Sequence, residues 1–127
     1  MSASVYSFNY DQGSHHSFDV SFKDSEGAPD TAAVEGFSGR GQVRRTLNGE
    51  VIAEFTITVD EESAMVTVAL LADSMEGVEF ATATSYKTTV ACPYDVELYK
   101  VSDATVSKRI LNGFVTVSPE VTRAVTP

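Results

Sequence analysis

The chain is short of several residue types, and each shortage removes a class of protein. It has one cysteine, Cys92, in 127 residues. No intramolecular disulfide can form, so stability rests on packing. Tryptophan is absent. The longest unbroken apolar run, residues 68–72, falls far short of the ~20 residues a membrane helix needs. No apolar block of signal-peptide length follows Met1, so neither a membrane-spanning nor a Sec-secreted chain is expected. Basic residues are scarce as well. Nine Lys and Arg stand against eighteen Asp and Glu, for a formal net charge of −9. Binding a nucleic-acid backbone or an anionic membrane calls for a basic face. The only local basic cluster is Arg40, Arg44 and Arg45, so no nucleic acid and no membrane is expected as a partner. Leucine is sparse, and no long segment carries the apolar period of a helix.

What is present points to sheet. Valine, threonine and isoleucine supply 33 of the 127 residues. Their branched side chains suit a pleated surface and lose rotamer freedom in a helix. Apolar residues make up 43% of the chain, enough for a core, and the length is that of one domain. No repeat, linker or low-complexity tract divides it.

Period-2 alternation marks the strands. Residues 5–10 place Tyr6, Phe8 and Tyr10 on one face, as a first strand or as an arm that docks on a neighbour. In 16–22, Phe18, Val20 and Phe22 alternate with Ser17, Asp19 and Ser21. Residues 37–45 follow, with Gly39 and Gly41 in the inward phase, where they weaken a strand and suggest a bulge or the close approach of another backbone. Asn48-Gly49 suits a type I′ turn and predicts a hairpin of 41–47 with 50–59. Residues 64–70 alternate cleanly. A single helical turn is expected at 71–77, and 80–90 reads as a weak strand or an ordered loop. Cys92, Tyr94, Val96 and Leu98 define a strand over 92–100, with Pro93 placing its start at an edge. After a turn at 101–105, a last strand covers 106–118, with a bulge expected at Asn112-Gly113. About seven or eight strands separated by turns give an all-β fold, a single antiparallel β-sandwich. A small closed barrel is the alternative. Residues 1–12 form a possible docking arm, and 119–127 an extended tail.

Two stretches carry a family resemblance. One is a strand at 18–22, a polar turn ending in Gly27, and a strand ending Gln42-Val43-Arg44-Arg45. The other is Tyr94-Asp95-Val96-Glu97-Leu98, followed by residues 109–123, which read Arg-Ile-Leu-Asn-Gly-Phe-Val-Thr-Val-Ser-Pro-Glu-Val-Thr-Arg. The pattern resembles immunoglobulin-like domains of tailed-phage virion proteins. It is similar to the N-terminal domain of phage baseplate upper proteins and to domains of tail-fibre and minor structural proteins. The match is good over 94–123 and loose over 16–45, while segment 71–93 looks longer than in the family. The resemblance implies an immunoglobulin-like sandwich at the baseplate, fibre junction, neck or capsid surface. Its partners would be other virion proteins and further copies of itself, and its location the virion, assembled in the host cytoplasm.

Chemistry-bearing motifs are few. His15-His16 point to opposite strand faces and cannot easily share a metal, so a solvated turn is expected. Cys92 reads as a small buried hydrophobe. Asp60-Glu61-Glu62 lacks the spacing of a calcium loop. No phosphate loop, nucleophile elbow or zinc pairing occurs. No catalytic residue, metal ligand or cofactor is assigned, and the protein is not expected to be an enzyme. The candidate contact residues are Tyr6, Phe8 and Tyr10 in the arm, Arg40, Arg44 and Arg45, and Glu120, Val121, Thr122 and Arg123 in the tail. The arginines suit an acidic neighbour such as another copy's 60–62, and the two ends suit strand addition. The expected function is a structural component of a phage particle. The alternative is a soluble carbohydrate- or receptor-binding module.

Overall fold

The alternating segments form two sheets packed face to face. The computed structural model describes residues 3–76, 78 and 88–120. The strands are β1 (Ser4–Val5), β2 (Phe8–Asp11), β3 (His16–Ser21), β4 (Phe37–Arg44), β5 (Val51–Glu54), β6 (Thr56–Asp60), β7 (Met65–Leu70), β8 (Val90–Lys100) and β9 (Asp103–Ser118). A short 3-10 turn, Thr31–Ala33, lies before β4. One sheet runs β1-β9-β8-β4-β5, with β2 also on β9; the other runs β3-β7-β6. Among the described residues only β1 and β2 pair in parallel, both with β9. The rest is antiparallel. This is the order of an immunoglobulin-type sandwich, with strands B, E and D in one sheet and G, F and C in the other. The chain is the all-β sandwich expected from its sequence.

The inward phases meet between the sheets. Val66, Val68 and Leu70 of β7 face Val43 of β4, Cys92, Val96 and Leu98 of β8, and Val115 and Val117 of β9, and all are fully buried. Each such side chain contributes about 1.5–3 kcal/mol relative to exposure. β3 is an edge strand, so Phe18 and Val20 keep the expected phase but are only half-buried. Gly39 and Gly41 keep regular register with β8, so the close approach and not the bulge is found, from a side chain at Gly39 and from backbone at Gly41. A side chain on Gly39 would collide with Ile57, and one on Gly41 would come 2.8 Å from the Asp95 carbonyl.

Among the described residues nine strands replace seven or eight because two predicted strands are each divided. Residues 5–10 kink at Tyr6 and Ser7. Residues 50–59 leave one sheet for the other at Phe55, β5 pairing with β4 and β6 with β7. The hairpin forms, but not through a type I′ turn. Arg45 N–H donates to the Glu50 carbonyl at 3.1 Å, and Gly49 N–H to the Thr46 carbonyl at 3.0 Å. Neither Asn48 nor Gly49 has positive φ. A loop over 46–49 built on an ordinary turn needs none. Where a helical turn was expected at 71–77, residues 71–76 form a series of turns, with Ser74 N–H on the Leu71 carbonyl and Val78 N–H on that of Met75, and residue 77 lies outside the described residues. The expected bulge at Asn112-Gly113 lies elsewhere. Those two residues keep regular register with Asp95 and Tyr94, and the ladder slips at Ile110 instead. β9 begins at Asp103, so the turn before it is shorter than expected. Of the weak strand or loop expected over 80–90, Val90 opens β8, and residues 80–87 lie outside the described residues.

Candidate functional site

The N-terminal arm is part of the protein's own sheet. Ser4 and Val5 pair with Leu111 and Asn112, and Phe8 to Asp11 with Val115 to Ser118, at one constant offset. Between them Tyr6 and Ser7 arch over Gly113. Tyr6 N–H donates to the Asn112 carbonyl at 2.9 Å. The Tyr94 hydroxyl donates to the Tyr6 carbonyl, and Phe114 N–H donates to Ser7 Oγ at 3.1 Å. The expectation that Phe8 and Tyr10 dock on a neighbour is therefore corrected, because both are buried in the protein's own core. Tyr10 donates its hydroxyl to the Leu71 carbonyl at 3.1 Å, and burial holds that hydroxyl's pKa above its usual value. Tyr6 remains partly exposed, its ring against Phe8 and Phe18.

The arginines are engaged within the chain. Arg40 and Arg44 share the outer face of β4, since Gly41 and Val43 between them point inward. Arg40 pairs with Glu97 and stacks on the Tyr99 ring at 4.6 Å. Arg44 donates to the Gly49 carbonyl at 2.8 Å and to Gln42 Oε1 at 3.1 Å, clamping the hairpin. Arg45 lies 3.7 Å from Glu50. Two of the three acids at 60–62 are occupied too. Asp60 accepts from Glu62 N–H at 3.1 Å, and Glu61 from Gly36 N–H at 2.8 Å.

Glu120 lies just beyond β9, where its N–H donates to Gln12 Oε1 at 3.2 Å. Gln12 is buried, and its amide donates to the carbonyls of Met75 (3.0 Å) and Val78 (2.8 Å). Val121, Thr122 and Arg123 lie outside the described residues. His16 departs from the expected solvated turn. It opens β3 and stacks on Phe8 at 4.7 Å, and its Nε2 is buried without a hydrogen-bond partner. Cys92 is buried as expected, and burial raises its thiol pKa, which keeps it unreactive. Among the described residues no three His, Cys, Asp or Glu side chains group to hold a metal ion. No helix of the described residues is long and apolar enough to cross a membrane.

A different surface emerges on the outer face of the larger sheet. Val5 is 78% exposed, Leu47 80% and Phe114 51%. With Pro93 they surround a cleft of about 340 Å³, rimmed by Arg44, Asp95 and Arg109. Asp95 and Arg109 lie 3.6 Å apart. Three stretches of sequence meet here: the β1 end, the 46–49 loop and the β8–β9 pair. Phe114 was open to sequence reasoning, because it falls out of phase with Leu111, Val115 and Val117. Val5 and Leu47 carried no such signal. No protein-family model matches the chain, and no curated protein is similar to it in sequence.

Proposed function

We propose that the protein is a non-enzymatic structural component of a tailed-phage particle, a sandwich that joins neighbouring virion proteins. The apolar cleft of the exposed Val5, Leu47 and Phe114 over the buried Pro93 carries this reading. An apolar centre with a charged rim, set on a well-packed sheet, has the anatomy of a protein contact. The resemblance to phage virion domains supports the placement. Its better-matching stretch, 94–123, supplies the Asp95, Arg109 and Phe114 of this surface.

The test is the composition of gradient-purified particles from a culture that produces the chain. Peptides of the protein are expected at a fixed copy number per particle, and a folded Phe114→Asp chain is expected to be missing from them. Absence of the wild-type chain from particles overturns the proposal. Phe114 beside Asp95 and Asn112 also presents an aromatic face with a carboxylate and an amide, which suits a sugar ring. Glycan binding that Phe114→Asp abolishes, in a chain missing from particles, would make the protein a receptor-binding module.

A further inference from the structure

β4 is paired along nearly all its length on one side and along only part of it on the other. Toward β8 the ladder runs from Phe37 to Val43. Toward β5 it covers Gln42, Val43 and Arg44. One more bond follows, from Phe55 N–H to the Gly41 carbonyl at 3.0 Å, and the chain then departs for the other sheet. In an antiparallel strand the backbone groups of successive residues face alternate neighbours. Gly41 faces the β5 side, so Gly39 faces it too, at a place where β5 no longer runs. A cavity of about 560 Å³ opens there, lined by Gly39, Gly41, Phe55 and the carboxylates of Glu54, Asp95 and Glu97. β6 passes on the inner side, with Ile57 packed against Gly39.

We infer that this gap receives an extended, basic segment of a partner protein as an added strand beside residues 38–41, stopping short of the Phe37 N–H, which donates to the Val34 carbonyl at 3.0 Å. Strand addition draws its affinity from backbone hydrogen bonds and its selectivity from the flanking side chains. Those flanks are acidic. Glu54, Asp95 and Glu97 line the cavity, and Glu61 lies beyond its far end on Gly36. The one guanidinium in the lining, Arg40, pairs with Glu97 and stacks on the Tyr99 ring, so the net negative charge of the lining rests on Glu54 and on Asp95, which also lies 3.6 Å from Arg109. Lysine or arginine on the incoming strand meets complementary charge, whereas an acidic segment is repelled. A second copy of this chain, at −9, is a poor occupant for the same reason. The inference rests on the assembly reading above and names the edge through which assembly would proceed.

The experiment is a titration of the ¹⁵N-labelled full chain at low salt with a capped heptapeptide of alternating threonine and arginine. Its counterpart has glutamate in place of arginine. With the arginine peptide alone, the Gly39 and Gly41 amide signals are expected to shift and their hydrogen exchange to slow by about tenfold or more. Glu54→Lys, on an exposed side chain, is expected to weaken binding by about tenfold. An arginine peptide that leaves both signals in place overturns the inference, as does equal binding of the glutamate peptide. Protection of Gly39 that grows with protein concentration alone also overturns it, by putting a second copy in the gap. A chain present in particles whose Gly39 ignores the peptide loses the edge and keeps the assembly reading. Peptide protection in a chain missing from particles does the reverse.

Discussion

Gly113 has no room for a side chain, because a Cβ there would collide with the Tyr6 carbonyl. Gly113→Ala is expected to cost about 1–3 kcal/mol in urea unfolding, as overpacking does, and to speed amide exchange in β2. Tyr94 sits on the same junction and makes stability depend on pH. Burial pushes its hydroxyl pKa well above the usual value, and the nearby Tyr6 adds to the effect. In the unfolded chain a tyrosine ionises near pH ~10, while the folded protein still holds the proton. Above pH ~10 the folded state therefore binds more protons than the unfolded state, and stability falls as pH rises. The contribution is intact below that point. Thermal unfolding followed from pH 8 to 11 is expected to show a midpoint that starts to fall near pH ~9, where the unfolded Cys92 thiol ionises, and falls more steeply past pH ~10, where Tyr94 and Tyr10 add to it. Tyr94→Phe should lessen the steeper decline while losing about 1 kcal/mol at neutral pH with its bond to Tyr6.

At the scale of elements, the arm is held by what it buries. Phe8 packs against Phe18, Tyr94 and His16. Phe8→Ala is expected to cost about 3–5 kcal/mol and to leave residues 4–11 open to protease, which limited digestion would reveal. Most strands were legible because alternation reports burial directly. Phe18 and Val20, Val66 and Val68, and Tyr94 and Val96 all fall as their phase required. The passage of the chain between sheets at Phe55 was not legible. Ala53, Phe55, Ile57 and Val59 point to the shared interior on both sides of it, so the period never breaks. Asn48-Gly49 misled for a different reason: the dipeptide permits positive φ but does not require it, and the longer loop removes the need. The apolar cleft was half legible. Phase gives Phe114, but Val5 joins it only because β1 lies on β9, and no local pattern reports a pairing over such a distance.

For the molecule as a whole, the core and the proposed contact surface are separate. Phe114 is on the outer face and half exposed, so Phe114→Asp should lower the unfolding free energy by about 1–2 kcal/mol and leave the chain folded. Calorimetry and sedimentation on one sample would check that the variant stays folded while it loses its contacts. The parallel pairing of Phe8–Asp11 with residues 115–118 also sets a schedule. The offset is 107 residues, from Phe8 to Val115. A ribosome working at about 5–20 residues per second needs roughly 5–20 s to cover it. During that time the first strand made has no place in its sheet, and the rings of Phe8 and Tyr10 stay in water or on a chaperone. The sandwich closes only when its last strand has left the exit tunnel, so the nascent chain is most open to capture just before synthesis of this domain is complete.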